Sequence, residues 1–235
     1  MEIFKRIFFA AILVGIVAGL VQSAVMQWRV VPLILEAETY EMSEGHVMDQ
    51  ETDKTPIASD KHEMSEQSWE PQDGFERIFY TVLSTLLVSL GFAFLMVAIS
   101  VLMSININLS NGLIWGLAGF FSFSLMPAIG LPPELPGMIA AELGARQIWW
   151  WGTVLATAGA ILLVVKIPKP VSFIIALILF LAPHIIGAPV PLTMESDVPA
   201  HLATSFAANA LFSSLVFWLV LGFLFGFYNN KIKDN

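Results

Sequence analysis

Ile78–Met103 reads IFYTVLSTLLVSLGFAFLMVAISVLM and holds no Asp, Glu, Lys or Arg. As a helix rising 1.5 Å per residue it would reach roughly 39 Å, against a bilayer hydrocarbon core of about 30 Å. One charge at mid-span would cost about 2.5–3.5 kcal/mol on an insertion scale. Five further stretches are also free of charge between their ends: Ile7–Gln27, Gly112–Gly130, Ile148–Lys166, Val171–Ala188 and Thr204–Tyr228. The third and fifth in chain order are short, and each carries a proline near its end, Pro127 and Pro183. The predicted fold class is all-α, a polytopic transmembrane helical bundle of about six spans.

Composition agrees with that reading. Apolar residues make up 57% of the 235 and charged residues 13%, about half the charged share of a soluble domain. The mean hydropathy is +0.76. With no cysteine, disulfides, iron–sulfur clusters, thiolate zinc sites and cysteine nucleophiles are excluded. A net charge of −8 argues against a nucleic-acid partner, because phosphate neutralisation needs clustered Lys and Arg. The partner the composition does imply is the lipid bilayer.

The charges give the bundle a direction. With six spans, Lys5, Arg6, Lys166, Lys169, Lys231 and Lys233 fall on one side, accompanied only by Glu2 and Asp234. The positive-inside rule makes that side the cytoplasm, with both termini inside. The remaining 17 acids and five bases face outward, so the outer segments sum to −12 and the inner ones to +4. Residues 1–27 form the first span; the alternative is a signal peptide over 1–24, with Lys5 and Arg6 as its basic region. Residues 28–74 form an acidic extracytoplasmic loop, poor in branched apolar residues and so expected to be flexible. Residues 75–235 form a bundle of about five spans. Within it, 131–147 is a surface or re-entrant segment. Pro132–Pro133 stops the third span, Pro136 is placed to open a short helix, and Glu142 and Arg146 are spaced as an i,i+4 pair.

Much of the span content calls for no ligand. Gly15/Gly19, Gly112/Gly116 and Gly222/Gly226 stand four apart, a spacing that lets helix backbones approach closely in lipid. Trp28, Trp149, Trp150 and Trp151 lie at predicted outer ends, and Trp115 and Tyr228 at inner ends, as in an interfacial aromatic belt. No phosphate-binding loop, Gly-x-Ser-x-Gly or His-Glu-x-x-His motif occurs, and no carboxylate lies within a span. The sequence therefore points away from an enzyme and from a resident cofactor.

Candidate metal ligands remain. His46-Val47-Met48-Asp49 and His62-Glu63-Met64 each put imidazole, thioether and carboxylate within a few residues. Imidazole with carboxylate suits Co²⁺, Ni²⁺ or Zn²⁺, whereas thioether favours Cu⁺. A solvated acidic loop would carry the same residues without ligating anything, although its field would still concentrate divalent cations. His201 and His184 also fall near the outer side. His184 follows Pro183 inside the fifth span, where proline frees the carbonyl of Leu179 from its helix bond. It lies roughly 6 Å below the outer end. Gln22, Ser84, Met126, Thr153 and Asn209 come out at comparable depth in the other spans. Polar side chains in lipid face the bundle interior, so this layer is expected to line a polar vestibule open to the outside. The alternative for His184 is a kinked helix whose imidazole bonds a neighbouring helix. Glu134, Glu142 and Arg146 lie on the same face and are expected to shape the entrance.

Several ordered stretches resemble the cobalt transporter subunit CbtA family of integral membrane proteins. They are Phe4-Lys5-Arg6 running into a Gly-rich first span, Glu36-Ala37-Glu38-x-Tyr40-Glu41, and Trp69-x-Pro71-x-Asp73-Gly74-x-Glu76-Arg77 leading to Tyr80-Thr81. Leu131-Pro132-Pro133-Glu134-Leu135-Pro136-Gly137, Arg146-Gln147-x-Trp149-Trp150 and Pro183-His184-x-x-Gly187-Ala188-Pro189 follow. Val198-Pro199-Ala200 and Phe217-Trp218 complete the series. The resemblance implies a subunit of a cobalt importer in the inner membrane, linked to cobalamin synthesis. It also implies a small single-span, His-rich partner of the CbtB kind and about five spans. Co²⁺ would be the transported ion. Rival readings are a non-conducting scaffold for that partner, or transport or sensing of another divalent ion or copper.

Overall fold

The computed structural model describes residues 2–48, 71–191 and 196–233, with side chains at 5, 7–40, 71–191 and 196–229. The described residues are helical throughout apart from turns and connecting segments. The helices are α1 Glu2–Arg29, α2 Val31–Met48, α3 Phe75–Leu102, α4 Gly112–Phe120, α5 Met126–Gly130, α6 Leu143–Lys166, α7 Pro170–Ile186 and α8 Ala200–Lys233. A π turn, Phe121–Leu125, joins α4 to α5, so one continuous rod runs from Gly112 to Gly130.

Five rods are long and apolar enough to cross a membrane: Ile7–Arg29, Phe75–Leu102, Gly112–Gly130, Leu143–Lys166 and Ala200–Asn229. The remaining expected span, Val171–Ala188, is the shorter helix α7 of 17 residues, or about 26 Å. Pro170 fixes its first turn, where a missing N–H costs nothing. Gly187, at φ +87°, ends it. Among the described residues there are therefore five helices of membrane-spanning length and one shorter apolar helix.

Small residues set the packing. Cβ positions on Gly15 would meet Leu90 and Ala93, and those on Gly19 would meet Leu86 and Ser89, so α1 and α3 run antiparallel in close contact. The Ser89 hydroxyl donates to the Gly15 carbonyl. Gly112 and Gly116 face Gly222 and Trp218 backbone in the same antiparallel sense. The core between these pairs holds Val14, Ala18, Met96, Phe120, Trp218, Leu221 and Phe225. Helix α7 packs chiefly on α6, and α6 meets the other helices mainly through the π turn and α5.

Rod direction alternates, so the start of α1 and the end of α8 come to one end of the bundle. There the Lys166 ammonium donates to the Met103 carbonyl, and Asn229 Nδ2 donates to the Ile107 carbonyl at 2.9 Å. This is the basic end of the charge map.

The opposite, acidic end differs from expectation in two ways. First, the stretch expected to begin a flexible loop at 28 folds as α2. Leu33, Ile34, Ala37 and Tyr40 form a helical apolar stripe in a second core with Val30, Leu135, Val198, Leu202 and Phe206. Arg77 ties α2 to α3 through Glu38 at 2.8 Å. Second, Pro136 opens no helix. Residues 131–142 run irregularly over the bundle end, with Leu135 3% exposed in that second core. Glu142 does not pair with Arg146. It caps α6, accepting from the Gly144 and Ala145 N–H groups at 2.7 and 2.6 Å.

Candidate functional site

The candidate site begins with a proline. Pro127 has no N–H to offer the carbonyl of Phe123, and its ring crowds that carbonyl. The π turn Phe121–Leu125 lies immediately before this point, and such turns recur at functional sites. Within it, Ser124 meets Ser214 of α8, with the two hydroxyl oxygens 2.6 Å apart. Phe123 stacks on Trp218 at 5.7 Å between centroids and approaches Trp150 of α6 at 6.2 Å.

Above this layer is a cavity of about 470 Å³ opening at the acidic end. Ser124 and Ser214 line it from the π turn and α8, Gln147 and Trp150 from α6, and Glu134 and Arg146 from its rim. Arg146 Nη2 donates to Glu134 Oε2 at 2.7 Å, with the two side chains 30% and 21% exposed. Among the described residues they are the formally charged groups of the cavity wall. Glu142 sits nearby with its carboxyl held below the usual carboxylate range, first by the Gly144 N–H and then by the Ala145 N–H.

The predicted vestibule residues are distributed differently. Gln22 is half-buried on α1, Ser84 exposed on α3, Met126 buried in α5 and Asn209 half-buried on α8. Asn209 Nδ2 donates to the Ser205 carbonyl at 2.8 Å. Thr153 is buried and donates to the Trp149 carbonyl at 2.9 Å. None of the five lines the 470 Å³ cavity. Thr153 instead lines a groove of about 690 Å³ between α6 and α7, together with Leu179 and Pro183.

His184 stands beside Trp149, with ring centroids 5.9 Å apart. Its Nε2 is buried without a hydrogen-bond partner. Trp149 Nε1 donates to the Pro183 carbonyl at 3.1 Å, which fastens α7 to α6. His201 is exposed in the first turn of α8. His46 and Met48 belong to α2, but their side chains lie outside the described residues, as do Asp49, His62, Glu63 and Met64 altogether. Among the described residues, no three His, Asp or Glu side chains converge as a metal cluster.

Sequence reasoning missed Ser124, Ser214 and Gln147. Two serines in an apolar span just before a proline were the available signal. Their rotation toward α8 depends on the π turn, which sequence periodicity does not show.

A family model described as "Probable cobalt transporter subunit (CbtA)" matches residues 4–230. No curated protein and no solved structure matches the chain. The match spans nearly the whole chain, both cores and the cavity. It carries the description of a subunit, hence of a part in a membrane transport complex, and it accords with a multi-pass bundle of apolar helices. The chain belongs to the CbtA family, whose members are described as probable cobalt transporter subunits.

Proposed function

We propose that this chain is the membrane subunit through which Co²⁺ enters the cell, admitted at the acidic end and released at the basic, cytoplasmic end. The observation that carries the reading is the cavity at the acidic end, which holds Glu134 at its rim and reaches the Ser124–Ser214 pair inside the bundle. Acidic outer segments summing to −12 would raise the local concentration of divalent cations. His46, His62, His201, Met48, Asp49, Glu63 and Met64 are the capture ligands in this reading. His184 is the imidazole at membrane depth in this reading, its Nε2 buried without a hydrogen-bond partner. A membrane potential would supply about 4.6 kcal/mol per 100 mV for a doubly charged ion. The setting is the inner membrane, the partner a small single-span His-rich subunit, and the use of the metal cobalamin synthesis.

The test is uptake of radiolabelled Co²⁺ by cells with and without this chain, each with and without the small partner. Uptake that requires the chain, falls with H184A at unchanged protein level, and needs more Co²⁺ for half-maximal rate after removal of 49–70 is expected. Uptake set by the partner alone, with this chain replaceable by any membrane anchor, would show a scaffold instead. Cu⁺ outcompeting Co²⁺ would reassign the metal.

A further inference from the structure

We propose that Arg146 is a built-in counter-cation on Glu134 that makes the outer cavity select divalent over monovalent cations. The proposal rests on the import reading above and adds the residue that sets the ion's valence.

Among the described residues, Glu134 and Arg146 are the formally charged side chains lining the cavity, and they are bonded to each other at 2.7 Å. A cation arriving from outside therefore finds a carboxylate that is already neutralised. A Na⁺ or K⁺ ion that takes the carboxylate replaces one unit charge by another and gains nothing in Coulomb energy. It also competes with a guanidinium tethered next to its partner, which is present at high effective concentration. A divalent ion doubles the attraction to the carboxylate at equal distance, so it can displace the tethered group. The displaced guanidinium is not stranded, because the Arg146 side chain is already 30% exposed and the cavity holds about 470 Å³. The amide of Gln147 and the hydroxyls of Ser124 and Ser214 line the same wall, which adds neutral oxygen donors to the carboxylate.

A purely structural pin is the competing account, in which the pair fastens residues 131–142 to α6. That segment has its own anchor: Leu135 is buried, and Met138 packs against the same second core. The ion pair is thus not required to hold it down.

Trp150 and Trp151 line the cavity, so paramagnetic Co²⁺ bound there quenches their fluorescence. The experiment titrates Co²⁺ into the full chain in zwitterionic lipid nanodiscs, with Na⁺ or N-methylglucamine as the balancing cation at fixed ionic strength. Wild type is expected to show a saturable quenching component with the same midpoint in both salts, and E134Q to lose it. R146Q is expected to lower the midpoint several-fold in N-methylglucamine and to lose that gain in Na⁺. R146K keeps the charge and should match wild type in both. An unchanged or raised R146Q midpoint, or retention of the component in E134Q, overturns the proposal. If R146Q does not fold, R146K decides: a lowered or Na⁺-sensitive midpoint overturns it. The expected quenching without any chain-dependent uptake would sink the import reading and leave the filter standing. Normal uptake with an unaltered R146Q midpoint would do the reverse.

Discussion

The carboxylate of Glu142 has two possible claimants, the Arg146 guanidinium four residues on and the free N–H groups that open α6. The N–H groups win, because α6 starts at Leu143 and places Glu142 outside the helix, at its cap. The i,i+4 rule holds only between residues already inside a helix, so the boundary, and not the spacing, decides the partner. Arg146 is left to Glu134, twelve residues earlier in the irregular stretch before α6, a contact that no local pattern announces. The cap has a pH signature. The folded carboxyl lies below its ordinary value, through the Gly144 and then the Ala145 N–H. A depressed folded pKa contributes stability that is present above the unfolded value and lost as pH falls through the folded one. E142A should therefore lower the thermal midpoint at pH 7. Its deficit relative to wild type should close as the buffer is taken below the usual carboxylate range. A deficit of equal size at both pH values would mean that the charge on the cap does not matter.

At the scale of elements, glycine separates contact from vacancy. A Cβ on Gly222 would run into the Gly112 carbonyl and the Gly116 backbone, while one on Gly159 would meet nothing within 4 Å. G222A is expected to cost about 1–3 kcal/mol through overpacking against backbone that cannot turn aside. G159A should be neutral or stabilising by up to about 1 kcal/mol, since alanine is the better helix former. Reversible unfolding in mixed micelles measures both, and equal effects would show that α4 and α8 do not meet through these glycines. Such spacing was legible in the sequence, as were the charge-free runs that became the five long rods. The short α7 was half-legible, because Pro170 and Gly187 mark its limits but the apolar run continues past them to Ala188. Helix α2 was hidden by composition: the acids of 36–44 drew attention away from the apolar stripe of Leu33, Ile34, Ala37 and Tyr40 that builds the second core. The π turn was not legible at all, since one extra residue per turn leaves hydropathy unchanged. With it went the Ser124–Ser214 contact, and so the floor of the cavity.

For the molecule as a whole, the functional reading depends on which end faces out. The geometry places the 103–111 turn, Lys166 and the last turns of α8 together at one end. It places α2, the 131–142 segment and the start of α8 at the other. Orientation in the membrane then follows from Lys and Arg in short connections, which stay on the cytoplasmic side. The basic end carries Lys166 and Lys169 in one tight turn, and among the described side chains the carboxylates Glu36, Glu38, Asp73, Glu76, Glu134, Glu142 and Asp197 lie toward the other end. The chain has no cysteine, so a single introduced thiol reports its own position without background. Asn106, in the basic-end turn, and Asp197, before α8, are both exposed. In intact cells D197C should react with a membrane-impermeant maleimide, whereas N106C should react only after the membrane is opened. Both thiols behaving alike, reacting only after the membrane is opened, would break the six-crossing path, and α7 would be the helix that does not cross, being about 26 Å long. The opposite pattern, N106C alone labelled from outside, would turn the acidic cavity toward the cytosol. Co²⁺ captured there would then be cargo for export.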